Sequence, residues 1–170
     1  RTKRTGPLSR TVVNQIGKLI FLMNHHEDVH ILVVDDEKII RDGSERILTK
    51  EGWEVETAEN GEQGLELIKR GNFQIILLDL MMPGIRGMEV LKRVREDHPR
   101  LIVIVITGYT TIDNAVEAMK NGAYDFIAKP FTPDQLRIVV QRAEDKLKLE
   151  HEAELLRRER ERSLKDIAYE

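Results

Sequence analysis

The chain contains no cysteine, no long apolar run and no excess of basic residues, and these absences exclude several kinds of protein. Without cysteine among its 170 residues it has no disulfide, thiolate metal site or cysteine nucleophile, which is compatible with a reducing cytoplasm. No apolar run reaches the ~18 residues of a membrane-spanning helix. Its 27 basic residues face 30 acidic ones, so no positive excess favours nucleic acid. We therefore expect no direct contact with nucleic acid or membrane.

The remaining composition is that of a folded protein with a charged helical surface. Hydrophobic residues make up 41% of the chain and charged residues 34%. A length of 170 residues is enough for one well-buried domain with additional segments. Because the chain starts with Arg1 and not with Met, we expect a fragment whose ends are not natural ones.

One stretch organises the chain: an apolar run that leads directly into Asp79. Four apolar residues, 75–78, precede this acid, and Pro83 and Gly84 mark a turn shortly after it. An uninterrupted apolar run is typical of a strand buried on both faces of a parallel sheet. A carboxylate at the end of such a strand lies where open α/β sheets bind their ligands. We therefore take Asp79 as the first candidate for a functional residue.

Strand and helix patterns alternate from His30 onwards. Short apolar or alternating runs predict strands, and apolar residues at three-to-four spacing between them predict helices. The predicted strands lie near 31–34, 53–58, 73–79, 101–106 and 124–128. Right-handed crossovers make this an α/β fold, a doubly wound five-stranded parallel sheet in the flavodoxin-like order 2-1-3-4-5. A helical extension follows at the carboxyl end.

The chain divides into three parts. Residues 1–28 predict a linker or short amphipathic helix, with the alternative that they are a remnant foreign to the natural protein. Residues 29–145 form the predicted domain. Residues 146–170 lack glycine and proline and alternate acids with bases, which is typical of a charged helical linker. Their apolar positions shift phase around 147–149, so an imperfect coiled-coil seam and a solvated single helix both remain open.

Polar side chains follow four of the predicted strands. They are Asp35, Asp36 and Glu37 after the first strand, Asp79 after the third, Thr107 after the fourth and Lys129 after the fifth. In a parallel sheet of the proposed order these strand ends are close together on one edge. Clustered carboxylates need a cation, and oxygen ligands in an open site favour Mg²⁺.

This set supplies the parts of phosphoryl transfer to an aspartate. It offers a carboxylate nucleophile, a metal site for phosphoryl oxygens, a cationic donor and a hydroxyl donor. Each residue alone has a simpler explanation, since an acid, a Thr-Gly or a Lys-Pro after a strand commonly serves as a turn or cap. The conjunction at four strand ends favours the functional interpretation.

Four blocks of the sequence resemble the signature blocks of bacterial response-regulator receiver domains. They are Val33–Glu37, Leu78–Gly84, Ile106–Gly108 and Phe126–Phe131. The resemblance covers roughly residues 29–148. It implies a domain of a two-component system that accepts a phosphoryl group from a sensor histidine kinase or a phosphotransfer protein.

The resemblance also implies roles for individual residues. Asp79 matches the phosphoacceptor. Asp36 matches a direct Mg²⁺ ligand, Asp35 an acid that holds the ion largely through water, and the backbone carbonyl of Met81 a further ligand, with Asp79 completing the set. Two residues that match the groups holding the phosphoryl oxygens are Thr107 and Lys129.

The same resemblance implies a switch. Thr107 would move toward the phosphoryl group and Phe126 would turn inward, which changes the face formed by the fourth helix and fifth strand. We expect Tyr109, Ile112 and Val116 to belong to this output face. Met81 and Tyr109 occupy places where some receivers carry side chains that position an attacking water, so we expect slow self-dephosphorylation.

These observations lead to one expected function and two alternatives. We expect a regulatory phosphoacceptor and not an enzyme with its own substrate. It would be cytoplasmic, with a homodimer formed through the C-terminal helix or the fourth-helix and fifth-strand face. Its output module would be attached or a partner, and the resemblance is to receivers that precede an enhancer-binding ATPase or a sensory or histidine-kinase module, which the full-length protein would carry. The alternatives are a phosphate-independent dimerisation module and an aspartyl-phosphate phosphohydrolase, although the latter would want an acid where Met81 stands.

Overall fold

The computed structural model of the chain describes residues 29–108 and 112–168, in which five strands and five helices alternate. The predicted segment 1–28 lies outside the described residues. The strands are β1 (His30–Val34), β2 (Glu54–Ala58), β3 (Ile75–Asp79), β4 (Ile102–Thr107) and β5 (Asp125–Ala128). The helices are α1 (Lys38–Lys50), α2 (Gly61–Arg70), α3 (Gly87–Asp97), α4 (Ile112–Lys120) and α5 (Pro133–Ala168).

The five strands form one parallel sheet in the order β2-β1-β3-β4-β5, which confirms the predicted topology. Its register matters for function. Asp79 pairs with Ile106, one residue before Thr107. Thr107 in turn pairs with Ala128, one residue before Lys129. The three candidate residues therefore leave the sheet at nearly the same level.

Helices cover both faces of the sheet. The side chains of β1, β3 and β4 are buried throughout except for His30, as their uninterrupted apolar runs predict. One apolar cluster joins one face to α2, α3 and α4 through Ile68, Val90 and Ala118. A second cluster joins the other face to α1 and α5 through Leu48 and Leu136. This doubly wound arrangement holds the strand ends in place.

The last helix continues well past the domain. α5 runs for 36 residues without interruption, and its buried residues stop at Glu144. Beyond that point most side chains are exposed, including Leu149, Leu156, Leu164 and Ile167. The predicted helical extension is therefore present. The described helices include none that is long and apolar enough to cross a membrane.

Candidate functional site

The backbone fixes the acids at the carboxyl edge of the sheet. Strand pairing continues past the formal end of β1, where the Asp35 amide donates to the Ala58 carbonyl over 3.1 Å. It also continues past β3, where the Leu80 amide donates to the Ile106 carbonyl over 3.2 Å. Both carboxylates are thus placed by regular hydrogen bonding and not by a flexible loop.

Three carboxylates meet at this edge. Asp35, Asp36 and Asp79 each place one oxygen within 4.8 Å of the others. Asp35 is 0% and Asp79 is 2% exposed, whereas Asp36 faces solvent. Each buried acid accepts a hydrogen bond from a main-chain amide, Asp35 from Glu37 and Asp79 from Met81, both over 2.9 Å. The pocket therefore has two fixed acids inside and a third at its mouth.

Lys129 is the cation of the pocket. Its Nζ lies 2.8 Å from Asp35 Oδ2, 2.7 Å from Glu37 Oε1 and 3.2 Å from Asp79 Oδ2. The lysine follows β5 and precedes Pro130 through a cis peptide bond. The structure thus brings the predicted lysine together with predicted acids that precede it in sequence by 50 positions (Asp79) and by 94 positions (Asp35).

The protonation of these groups reflects burial. Burial raises the pKa of Asp79 to about 6, and the nearby Asp35 adds to the shift, against the opposing effects of the Met81 amide and Lys129. Burial also raises the pKa of Asp35. For Lys129 burial acts to lower the pKa, but the surrounding carboxylates outweigh it and raise the pKa above its ordinary value. For both acids, the cost of burial thus outweighs the stabilising positive charge of Lys129.

The donor set fits a divalent cation. Among the described residues, the buried Asp35 Oδ2 has only the Lys129 ammonium within reach, at 2.8 Å, and it shares that ammonium with Glu37 and Asp79. An oxygen left in this state gains from a metal ion or its bound water. All three side chains offer carboxylate oxygens, which suit Mg²⁺ better than a soft metal. The main chain of Met81 is at the same place, since its amide binds Asp79.

The residues predicted to switch lie on β4, on β5 and at α4, and the two strands end at this pocket. Thr107 is 4% exposed at the end of β4. Phe126 on β5 is 48% exposed and borders an apolar groove with α4. Val116, also 48% exposed, lines the same groove. Of the other predicted output residues, Tyr109 lies outside the described residues, and Ile112 begins α4 but its side chain is also outside them.

Two further residues shape the site. Glu37 stands next to the predicted acids, and the structure shows that its side chain reaches Lys129. Gly87 opens α3 against the end of β3, and a Cβ there would lie 2.2 Å from the Asp79 carbonyl oxygen and 2.5 Å from Leu80 Cα. Only glycine allows this approach. A glycine at the start of a predicted helix, shortly after the turn at Gly84, was the available signal.

Comparison with known proteins defines the class. The family model of the response regulator receiver domain matches residues 31–141. The chain belongs to this family, which confirms the resemblance seen in the four sequence blocks.

Individual relatives show which kinds of regulator the chain is similar to. It is 39% identical over 129 residues to the nitrogen assimilation regulatory protein NtrX of Azorhizobium caulinodans, covering 75% of this chain and 28% of that protein. It is 38% identical over 113 residues to the regulatory protein AtoC of Escherichia coli, covering 66% and 24%. The chain thus spans about a quarter of the length of these curated relatives. It is a receiver domain similar to those of NtrX-like and NtrC-like regulators.

Solved structures agree. The receiver domain of NtrX from Brucella abortus is 42% identical with a TM-score of 0.65, covering 66% of this chain and 96% of that one. A receiver domain from Clostridium thermocellum is 34% identical with a TM-score of 0.68, covering 71% and 98%. Receiver domains of this kind therefore share the sheet and helix arrangement described above.

Proposed function

We propose that Asp79 is the phosphoacceptor of this receiver domain and that phosphorylation there controls an output module. The observation that carries this proposal is the position of its carboxylate. It is buried at the carboxyl edge of the sheet, among two further acids, with Oδ2 3.2 Å from Lys129 Nζ. A buried acid that lies beside a lysine and a potential metal site is suited to accept a phosphoryl group.

The two oxygens of Asp79 have different roles in this proposal. Oδ1 accepts a hydrogen bond from the Met81 amide, so Oδ2 is the oxygen that attacks phosphorus. The phosphorus–nitrogen bond of the donor phosphohistidine breaks, its electron pair stays on the imidazole nitrogen, and an acyl phosphate forms on Asp79. Since the pKa of Asp79 is about 6, the carboxylate is mostly ionised at neutral pH. Lys129 then binds the phosphoryl oxygens.

Mg²⁺ completes the site in this proposal. When bound, it supplies positive charge to the phosphoryl oxygens. Asp35, Asp36, Asp79 and the Met81 carbonyl would hold it, with Asp35 acting largely through water. The acidic cluster and the buried Asp35 Oδ2, which has to share one lysine with two other acids, support this ligand set.

The response then passes to the α4–β5 face. The Thr107 hydroxyl turns to the phosphoryl group, and Phe126 moves from its exposed position into the space this leaves. Tyr109, Ile112 and Val116 belong to the face that changes. A population shift of this kind needs only a few kcal/mol.

The exposed apolar residues indicate where partners bind. The donor histidine must reach Asp79. Ile39 and Met81 are close in sequence to the acids of the pocket, and they are 78% and 63% exposed. We place the docking surface for a sensor histidine kinase or phosphotransfer protein there. The exposed leucines of α5 support a homodimer through the C-terminal helix, and the α4–β5 groove supports the second predicted dimer face.

The wider setting of the domain follows from this chemistry. The chain is a phosphoacceptor with slow self-dephosphorylation and no substrate of its own. We propose that the domain acts in the cytoplasm. Residues 29–145 act as the receiver and 146–170 as the helical linker to an output module, an ATPase or a kinase or sensory module.

A phosphorylation assay tests the assignment. The protein is incubated with acetyl phosphate and Mg²⁺, and its intact mass is measured. We expect one added phosphoryl group that hydroxylamine removes, and none in Asp79→Asn. Asp97→Asn, at the exposed end of α3, is the matched control and should behave as wild type. A phosphoryl group retained in Asp79→Asn would overturn the assignment. A separate measurement, gel filtration with light scattering with and without beryllofluoride, tests the alternative: dimerisation unaffected by beryllofluoride would favour the phosphate-independent module.

A further inference from the structure

Glu37 occupies a helix N-terminal position at which glutamate is not among the preferred residues. It is the N-cap of α1, where serine, threonine, aspartate and asparagine are preferred. Its side chain makes no capping hydrogen bond to the helix. Its carboxylate instead reaches Lys129 over 2.7 Å, across 92 positions of sequence. A residue that is not favoured at its local position but makes a long-range contact points to a function for that contact.

The contact is the shortest that Lys129 makes with the three acids around it. The distances to Asp35 and Asp79 are 2.8 and 3.2 Å. Glu37 is also the most exposed of these acids, with 54% of its side chain accessible. It can therefore leave the lysine without leaving a buried charge unpaired. The main chain of Glu37 stays fixed, because its amide donates to Asp35 Oδ1.

We propose that Glu37 is a positioning residue that holds Lys129 toward the mouth of the pocket until a phosphoryl group arrives. This inference rests on the proposed role of Asp79. Glu37 and the phosphoryl oxygens would compete for the same ammonium group. Phosphorylation then requires Lys129 to leave Glu37, so the pair opposes the phosphorylated state and favours the resting one.

Beryllofluoride, which mimics the phosphoryl group on an aspartate, provides the probe. We expect Glu37→Gln to bind beryllofluoride about twofold to fivefold more tightly than wild type, the range that a half-exposed ion pair allows. Binding is measured by titration calorimetry at Mg²⁺ concentrations that saturate each variant. The effect should lie in this affinity, since the glutamine keeps the shape of the side chain.

Two further variants separate position from charge. Glu59→Gln removes one exposed negative charge just after β2, on the same edge of the sheet, and should leave the affinity unchanged. Glu37→Asp keeps the charge but is one methylene shorter and is a favoured N-cap, so it should resemble Glu37→Gln. If Glu59→Gln tightened binding as much as Glu37→Gln, or if Glu37→Asp matched wild type, the positioning role would be wrong.

A second readout uses the protein without metal or beryllofluoride. The Lys129 ammonium gives a nitrogen–proton NMR signal whose hydrogen exchange is slowed by its acid partners. We expect faster exchange in Glu37→Gln and an unchanged rate in Glu59→Gln. Equal exchange and equal beryllofluoride affinity in wild type and Glu37→Gln would overturn the inference. Failure of wild type to bind beryllofluoride with Mg²⁺, by contrast, would contradict the role of Asp79 itself.

Discussion

The main-chain amide of Lys129 donates a 2.6 Å hydrogen bond to the carbonyl oxygen of Thr107. This bond extends the β4–β5 pairing to the two residues that we propose to hold the phosphoryl oxygens. Their backbones are therefore fixed relative to each other. If Asp79 is phosphorylated as proposed, we expect the response to begin with rotation of the Thr107 side chain, which brings its hydroxyl to the phosphoryl group.

Removing this hydroxyl should separate binding from switching. In Thr107→Val we expect beryllofluoride to bind about threefold to tenfold more weakly, the loss of roughly one hydrogen bond. Phe126 should then remain exposed. The chain has only four phenylalanines, so fluorine NMR of fluorophenylalanine-labelled protein resolves the signal, and Phe126→Leu assigns it. Thr107→Ser is the control that keeps the hydroxyl, and a full shift of the Phe126 signal in Thr107→Val would contradict the coupling.

The raised pKa of Asp79 predicts how stability depends on pH. Its value of about 6 lies above the ordinary 3.8, so the folded state holds the proton more tightly than the unfolded state. Between these values the folded state binds more protons, and stability falls as the pH rises. Above pH ~6 the penalty is complete, and without metal it amounts to roughly 1–3 kcal/mol.

Asp79→Asn removes this penalty. In urea unfolding with a chelator at neutral pH we expect the variant to be more stable than wild type, by roughly 1–3 kcal/mol. The advantage should vanish below pH ~4, where the carboxyl is protonated in both states. Asp97→Asn serves as the control for an exposed acid. A variant less stable than wild type at neutral pH would show that Lys129 compensates the buried charge.

Met81 should set the lifetime of the acyl phosphate. Its thioether is 63% exposed and cannot orient an attacking water as an amide or acid could. We expect Met81→Asn to lose its phosphoryl group about fivefold faster, the effect of roughly one positioning hydrogen bond, while Met81→Leu matches wild type. The loss is followed by intact mass after the donor is removed. Dephosphorylation of wild type within seconds, with Mg²⁺ and no phosphatase, would contradict the prediction.

Two glycines give opposite predictions for the same substitution. In Gly87→Ala the new Cβ would collide with the backbone of Asp79 and Leu80, so we expect a loss of roughly 2–4 kcal/mol in unfolding free energy. Gly43 lies inside α1 with nothing within 4 Å of the corresponding Cβ. Gly43→Ala should therefore stabilise the protein by about 0.5–1 kcal/mol. Urea unfolding of both variants tests the pair, and similar stabilities would contradict it.

The sheet and the main site residues could be predicted because both depend on simple periodic signals. Apolar runs marked β1, β3 and β4, and parallel topology then brought Asp35, Asp79 and their partners to one edge. This reasoning needs only the strand order and the residue after each strand. It does not need the conformation of any side chain.

What the sequence could not provide depends on side-chain reach and on the packing of helices. Glu37 turns away from its own helix and reaches Lys129. To predict this contact, one must know the distance between the ends of β1 and β5. Gly87 is needed because α3 approaches the backbone of Asp79 closely, and the sequence does not reveal this approach. Ile39 is apolar and lies in the first turn of α1, yet it is 78% exposed, which its residue type does not predict.

The unbroken course of α5 gives its length a geometric meaning. From Glu144 to Ala168 the helix extends roughly 36 Å at 1.5 Å per residue, and each residue also turns it by about 100°. Deleting one residue near Glu150 would therefore rotate everything beyond it by more than a quarter of a circle while shortening the helix hardly at all. The angle at which the distal end faces the receiver is thus encoded in a residue count, and deletions of seven residues should preserve it where deletions of two do not.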